Sequence, residues 1–128
     1  LVIEDERDFL KSLARGLTIS GYSNLRLEFD PVEASRLVEA GEVYEIALID
    51  ITLPGMSGIE LLERIKSSNP ATECIMVTAR DEVSTAQECI QKGACDYLVK
   101  PFSRKDLVLS IQRALEKKRA TDNESPGN

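Results

Sequence analysis

An α/β fold with a doubly wound, five-stranded parallel sheet and five helices is predicted by three observations. Short apolar runs rich in β-forming residues recur five times. Amphipathic segments with helical spacing lie between them. Residues able to do chemistry together stand immediately after the first, third, fourth and fifth runs.

The runs are Leu1 to Ile3, Leu25 to Phe29, Ile46 to Ile49, Cys74 to Val77 and Tyr97 to Val99. Phe9, Leu10, Leu13 and Leu17 share one helical face, as do Ile59, Leu62 and Ile65, and later Leu107, Ile111 and Leu115. Ser57 with Glu60 and Ser103 with Asp106 have the spacing of N-terminal capping boxes, and Asp30 before Pro31 places a cap ahead of a first-turn proline. Gly21, Gly41 and Gly93 stand where the preceding helices should stop. Strands that alternate with helices pair in parallel, because parallel neighbours need crossovers, and those crossovers cover both faces of the sheet.

The 128 residues, 42% of them hydrophobic, suffice for one domain and not for two of ordinary size. Positions 1–119 read as that domain. From 120 to 128 there is no large apolar side chain, and Ser125, Pro126 and Gly127 come near the end, so the segment reads as a disordered tail or a truncated linker. Beginning at Leu1 instead of Met, the chain reads as one whose natural start has been trimmed.

A formal net charge of -6 argues against direct nucleic-acid binding, which depends on Lys and Arg neutralising phosphates. No stretch approaches the roughly 18 apolar residues a membrane span needs, so a cytoplasmic protein without membrane contact is expected. Cys74, Cys89 and Cys95 are odd in number and lack a C-x-x-C spacing; they read as small apolar residues in a reducing compartment. With no histidine in the chain, Ser-His-Asp and Cys-His catalysis, His-ligated zinc and a phosphohistidine of its own are excluded.

In open α/β sheets, ligands bind beyond the carboxyl ends of the strands. Glu4 and Asp5 follow the first run, Asp50 the third, Thr78 the fourth and Lys100 the fifth. Two carboxylates about 5 Å apart repel by roughly 3 kcal/mol at an effective dielectric near 20, a large fraction of the stability of a domain. Lys100 offsets part of this. A hard divalent cation with oxygen ligands would offset the rest, Mg²⁺ first and Mn²⁺ as a substitute. Pro54, Gly55 and Gly58 make a structured turn after Asp50 and lead into the helix capped by Ser57.

Taken together, Leu-Val-Ile-Glu-Asp-Glu at the start, Asp50 with Pro54-Gly55 and Gly58, Val77-Thr78-Ala79 and Asp96-Tyr97-Leu98-Val99-Lys100-Pro101-Phe102 resemble the receiver domain of two-component response regulators. The resemblance covers Leu1 to about Lys118. It implies a flavodoxin-like sheet in the order 2-1-3-4-5, an order for which a member of this family serves as the reference example. It also implies that Asp50 accepts a phosphoryl group from a sensor histidine kinase or phosphotransfer protein. Glu4, Asp5, Asp50 and the carbonyl of Thr52 would hold Mg²⁺. Thr78, the Ala79 N–H and Lys100 would bind the phosphoryl oxygens, and Thr78 and Tyr97 would move together as the switch. The output would be the face of the fourth helix, fifth strand and fifth helix, acting on an output domain or partner, transcription included, or through homodimerisation on phosphorylation. The domain would catalyse only its own phosphorylation and dephosphorylation. A cis bond is implied between Lys100 and Pro101.

Glu4 departs from the family's commoner Asp, which bears on metal affinity. Thr52 and Arg80 occupy positions at which the family varies and tunes phosphoryl lifetime. Haloacid-dehalogenase-type phosphohydrolases use similar groups but in another chain order, with the nucleophile near the N-terminus and a second acid two residues on, where this chain has Thr52. A receiver-like scaffold that binds without accepting phosphate is opposed by Asp5, Asp50, Thr78 and Lys100 all being present.

Overall fold

In a computed structural model, the described residues are 1–124, with side chains through Ala120. Five strands, β1 (Val2–Ile3), β2 (Leu27–Glu28), β3 (Ile46–Asp50), β4 (Glu73–Thr78) and β5 (Asp96–Val99), form one sheet. Every neighbouring pair is parallel, and the order is β2-β1-β3-β4-β5, as the resemblance implied. Helices α1 (Arg7–Ile19), α2 (Pro31–Glu39), α3 (Gly58–Ser68), α4 (Val83–Gln91) and α5 (Arg104–Glu124) alternate with the strands. A 3₁₀ turn over Arg80–Glu82, absent from the sequence reading, precedes α4.

The alternation of side chains along each strand divides the core in two. Ile3, Ile49 and Met76 face α2, α3 and α4, where Ala34, Val38, Leu61, Leu62, Ile65, Ala86 and Cys89 meet them. Val2, Leu48, Ile75 and Leu98 face the other way, onto Leu10, Leu13 and Leu17 of α1 and Leu107, Ile111 and Ala114 of α5. Register keeps these rows aligned, since Val2 stands opposite Leu48 and Leu48 opposite Ile75, while Ile3 stands opposite Ile49 and Ile49 opposite Met76. A slip of one residue in any strand would exchange the two rows, so burial on both faces holds the register.

The helix boundaries reflect local chemistry. Asp30 Oδ1 accepts from Val32 N at 2.9 Å, Ser57 Oγ from Glu60 N at 3.2 Å, and Ser103 and Asp106 make a reciprocal box, with Asp106 N donating to Ser103 Oγ at 3.1 Å. Gly21, Gly41 and Gly93 end α1, α2 and α4 with φ of 99°, 100° and 111°, a conformation that glycine adopts without steric cost.

Two expectations change. The run Leu25 to Phe29 supplies a strand of only two residues, because β2 is an edge strand whose sole partner, β1, is equally short; Leu27 and Phe29 remain largely exposed. The tail expected from 120 starts inside α5, which continues through Glu124 because no helix breaker comes before Pro126. The rest of that expected tail, 125–128, lies outside the described residues. Among the described residues, no helix is long and apolar enough to cross a membrane.

Candidate functional site

The carboxyl ends of β1, β3 and β5 bring together residues far apart in the chain. Glu4 leaves β1 fully buried, Asp50 closes β3 nearly as deep, and Asp5 stands exposed at the rim. One carboxylate oxygen from each lies within 4.8 Å of the others. Lys100, just past β5, donates from Nζ to Asp50 Oδ2 and to Glu4 Oε1, both at 2.8 Å. Its ammonium also sits 4.4 Å from the centre of the Phe9 ring, which meets Phe102 edge-on at 5.8 Å. The aromatic face limits where the amine can go and adds a modest cation–π attraction.

The backbone completes the positioning. Thr52 N donates to Asp50 Oδ1 at 2.9 Å, so each oxygen of the Asp50 carboxylate has a fixed donor. Lys100 N donates to Thr78 O at 2.8 Å, and the peptide bond between Lys100 and Pro101 is cis. Gly58 N donates to Ile51 O at 2.9 Å, which draws the start of α3 against the Asp50 segment. A Cβ at Gly58 would stand 2.7 Å from Ile51 Cα and closer still to the Asp50 carbonyl oxygen, so glycine is the residue that lets this helix pack here.

The charge balance is uneven. Burial pushes the Glu4 carboxyl up to about 7, with the adjacent Asp50 carboxylate adding to the rise and the hydrogen bond from Lys100 opposing it. Burial pulls the Lys100 ammonium down, but its hydrogen bonds to Asp50 and Glu4 together outweigh this and hold it above the usual lysine range. Lys100 thus bonds to two carboxylates of a cluster of three. These oxygens fit a small hard cation: Mg²⁺, with bonds of about 2.0–2.1 Å, brings opposite ligands to roughly 4.2 Å, close to the spread of the cluster.

Of the expected site residues, Glu4, Asp5, Asp50 and Lys100 converge, and Thr52 joins them through its N–H. Thr78 is buried at the end of β4, and its hydroxyl donates to the Ala79 carbonyl at 3.0 Å. Tyr97 is half-buried against the core on β5, outside the carboxylate cluster. Sequence reasoning missed two contacts. In the sequence Phe9 reads only as part of the buried face of its helix, with no hint of Lys100, and Glu82, whose Oε2 accepts from Thr52 Oγ1 at 2.6 Å, lies thirty positions from its partner with no local signal.

The response regulator receiver domain family matches residues 1–112, most of the chain. The chain belongs to that family. It is the receiver domain of a two-component response regulator, a signalling switch. This receiver is similar to a cyclic di-GMP phosphodiesterase of Thermotoga maritima, at 35% identity over 90% of the chain and 30% of the relative. It is also similar to the response regulator MprA of Mycobacterium ulcerans, at 31% identity over 98% of the chain and 53% of the relative. The receiver therefore spans about half or less of these curated relatives. Among solved structures, the receiver domain of NtrX from Brucella abortus superposes with a TM-score of 0.83 at 32% identity, covering 90% of this chain and 96% of that one. A CheY-like receiver from Methanospirillum hungatei gives 0.85 at 29% identity, covering 93% and 94%.

Proposed function

We propose that this receiver takes a phosphoryl group onto Asp50 from the phosphohistidine of a sensor histidine kinase or phosphotransfer protein. The observation that carries the reading is the seat of Asp50, a buried carboxylate with a donor on each oxygen, Lys100 on one side and Thr52 N–H on the other, beside two further carboxylates. In the transfer, an Asp50 oxygen bonds to phosphorus as the phosphorus–nitrogen bond breaks, and the imidazole leaves with the electron pair of that bond. Lys100 neutralises charge on the phosphoryl oxygens, and Thr52 N–H keeps the carboxylate aimed. Glu4, Asp5, Asp50 and the Thr52 carbonyl would hold Mg²⁺, or Mn²⁺ in its place. When bound, the ion supplies charge neutralisation and a template for in-line displacement.

The product places about two negative charges at the end of β3. Thr78 would then exchange the Ala79 carbonyl for a phosphoryl oxygen, the Ala79 N–H would add a second bond, and Tyr97 would turn inward into the space vacated. The face of α4, β5 and α5 would carry the signal; Ile90 and Leu109 there are each 40% exposed and available to an output domain, a partner or a second copy. Catalysis would extend only to the domain's own phosphorylation and dephosphorylation. Residues 1–119 are the functional unit in this reading. Three free thiols accord with a reducing, cytoplasmic setting.

The test is intact-mass spectrometry after incubation with acetyl phosphate and Mg²⁺, on wild type and Asp50→Asn, with EDTA as control. One phosphoryl adduct that requires both Asp50 and the metal is expected. Absence of an adduct on folded, Mg²⁺-replete protein would favour the scaffold reading, and phosphate release in many turnovers would favour a hydrolase.

A further inference from the structure

Glu82 links the two loops that flank Asp50. Through its side chain it is bound to the loop after β3, since Thr52 Oγ1 donates to Glu82 Oε2 at 2.6 Å. Through its backbone it is bound to the loop after β4, since Glu82 N donates to the Ala79 carbonyl at 3.1 Å. That same carbonyl oxygen accepts the Thr78 hydroxyl at 3.0 Å. Thr52, for its part, holds Asp50 Oδ1 through its N–H at 2.9 Å. A continuous path of hydrogen bonds therefore runs from Asp50 through Thr52 and Glu82 to Ala79 and Thr78.

We propose that Glu82 is a positioning residue that latches the unphosphorylated arrangement, holding the Thr78 loop outward through the Thr52 hydroxyl and so restraining phosphorylation of Asp50. This rests on the reading of Asp50 as phospho-acceptor. For Thr78 to reach a phosphoryl oxygen, its hydroxyl must leave Ala79 O and the chain carrying Ala79 must move toward Asp50. The Arg80–Glu82 turn is built on that same carbonyl and moves with it. A side chain anchored at one end of this turn to Thr52 cannot follow while its hydrogen bond lasts. The carboxylate acceptor makes the bond stronger than one between neutral groups, and its partial exposure weakens it, so releasing it should change the phosphorylation rate by about fivefold. The carboxylate also adds a fourth negative group beside a pocket that must admit a phosphate.

The experiment compares wild type, Glu82→Ala, Glu82→Gln, Thr52→Val and the double variant Thr52→Val/Glu82→Ala. Initial rates of labelling by acetyl phosphate with Mg²⁺ are followed by intact mass over a range of donor concentrations. Amide hydrogen exchange across residues 79–82 is measured on the unphosphorylated proteins. Glu82→Ala and Thr52→Val should each raise the maximal rate about fivefold, and the double variant should exceed neither, because both remove one bond. Glu82→Gln keeps an acceptor oxygen and should retain most of the restraint on maximal rate, while relief of repulsion alone would show as a lower half-saturating donor concentration. Exchange at residues 79–82 should rise in both single alanine and valine variants and fall back in Glu82→Gln. Multiplicative effects in the double variant, or unchanged labelling and exchange in Glu82→Ala, would overturn the latch with the acceptor assignment intact. Failure of wild type to be labelled at all would remove the acceptor reading and the latch together, whatever the exchange data show.

Discussion

Lys100 reaches Asp50 across fifty positions of sequence, with Nζ donating to Oδ2 at 2.8 Å, and the same nitrogen reaches Glu4 at the same distance. The ammonium is thus the counter-ion of two buried carboxylates at once. Both carboxylates are more than nine-tenths buried, whereas the lysine side chain is 27% exposed. The amine therefore enters from the solvent side, the side from which a phosphate or a metal would also arrive.

Removing that amine should be costly. Lys100→Met leaves Glu4 and Asp50 adjacent without a cation, and a loss of about 3 kcal/mol in the metal-free protein at pH 8 is expected. Urea denaturation measures it. Saturating Mg²⁺ should recover part of the loss, because the ion takes over the neutralisation, while the rate of labelling by acetyl phosphate should fall at least tenfold.

The elevated Glu4 carboxyl has a definite effect on stability. Its folded pKa of about 7 lies above the ordinary value of 4.5, so between these values the folded state binds more protons than the unfolded state. Its contribution is fully present below about pH 4.5 and is lost as pH rises through 7, amounting to about 2 kcal/mol once water access and the coupling to Asp50 are allowed for. In metal-free protein, wild type should lose that much relative to Glu4→Gln between pH 4.5 and 8. Chemical denaturation of both proteins across this range is the check, and a difference independent of pH would refute it.

Two glycines should respond in opposite ways to alanine. At Gly58 the new methyl meets the Asp50 and Ile51 backbone, so α3 must shift away; a loss of about 3 kcal/mol with slower labelling at Asp50 is expected. At Gly16, in the middle of α1, the nearest atoms are Arg104 Cγ and Cδ at 3.7 and 3.8 Å, ordinary contacts with a flexible side chain. Gly16→Ala should stabilise by about 0.5–1 kcal/mol through helix propensity. Thermal melts of the two variants test both signs.

The thiols should be slow to react in the native protein. Burial pushes Cys74 up to about 12 and Cys95 up to about 11, and raises Cys89 as well, so thiolate is scarce at neutral pH. Cys74 and Cys89 are buried and Cys95 is half-buried. Iodoacetamide labelling followed by mass spectrometry should modify Cys95 first and the other two only on unfolding; rapid native labelling of Cys74 would contradict the packing.

Sequence periodicity and punctuation determined most of the architecture. Apolar runs with side chains alternating between two covered faces, Asp30, Ser57 and Ser103 as caps, and glycines past the helix ends are local features. Their physics acts within a few residues, so the chain states them directly. The candidate site was legible for a related reason. In a parallel sheet the residues at the carboxyl ends of the strands emerge at the same rim, which brings Glu4, Asp5, Asp50 and Lys100 together on the strand pattern alone, with Thr78 at the end of the neighbouring β4.

Tertiary structure alone decided the rest. Which oxygen of Asp50 Lys100 takes, the aromatic seat that Phe9 gives that lysine, the turning of the Thr78 hydroxyl to Ala79 and the bond from Thr52 to Glu82 depend on angstrom-scale distances between separate segments. The shortness of β2 was likewise out of reach, because an edge strand extends only as far as its neighbour pairs with it. These contacts are set by how packed helices and loops come to rest on the sheet, a balance of many small terms that leaves no period in the sequence.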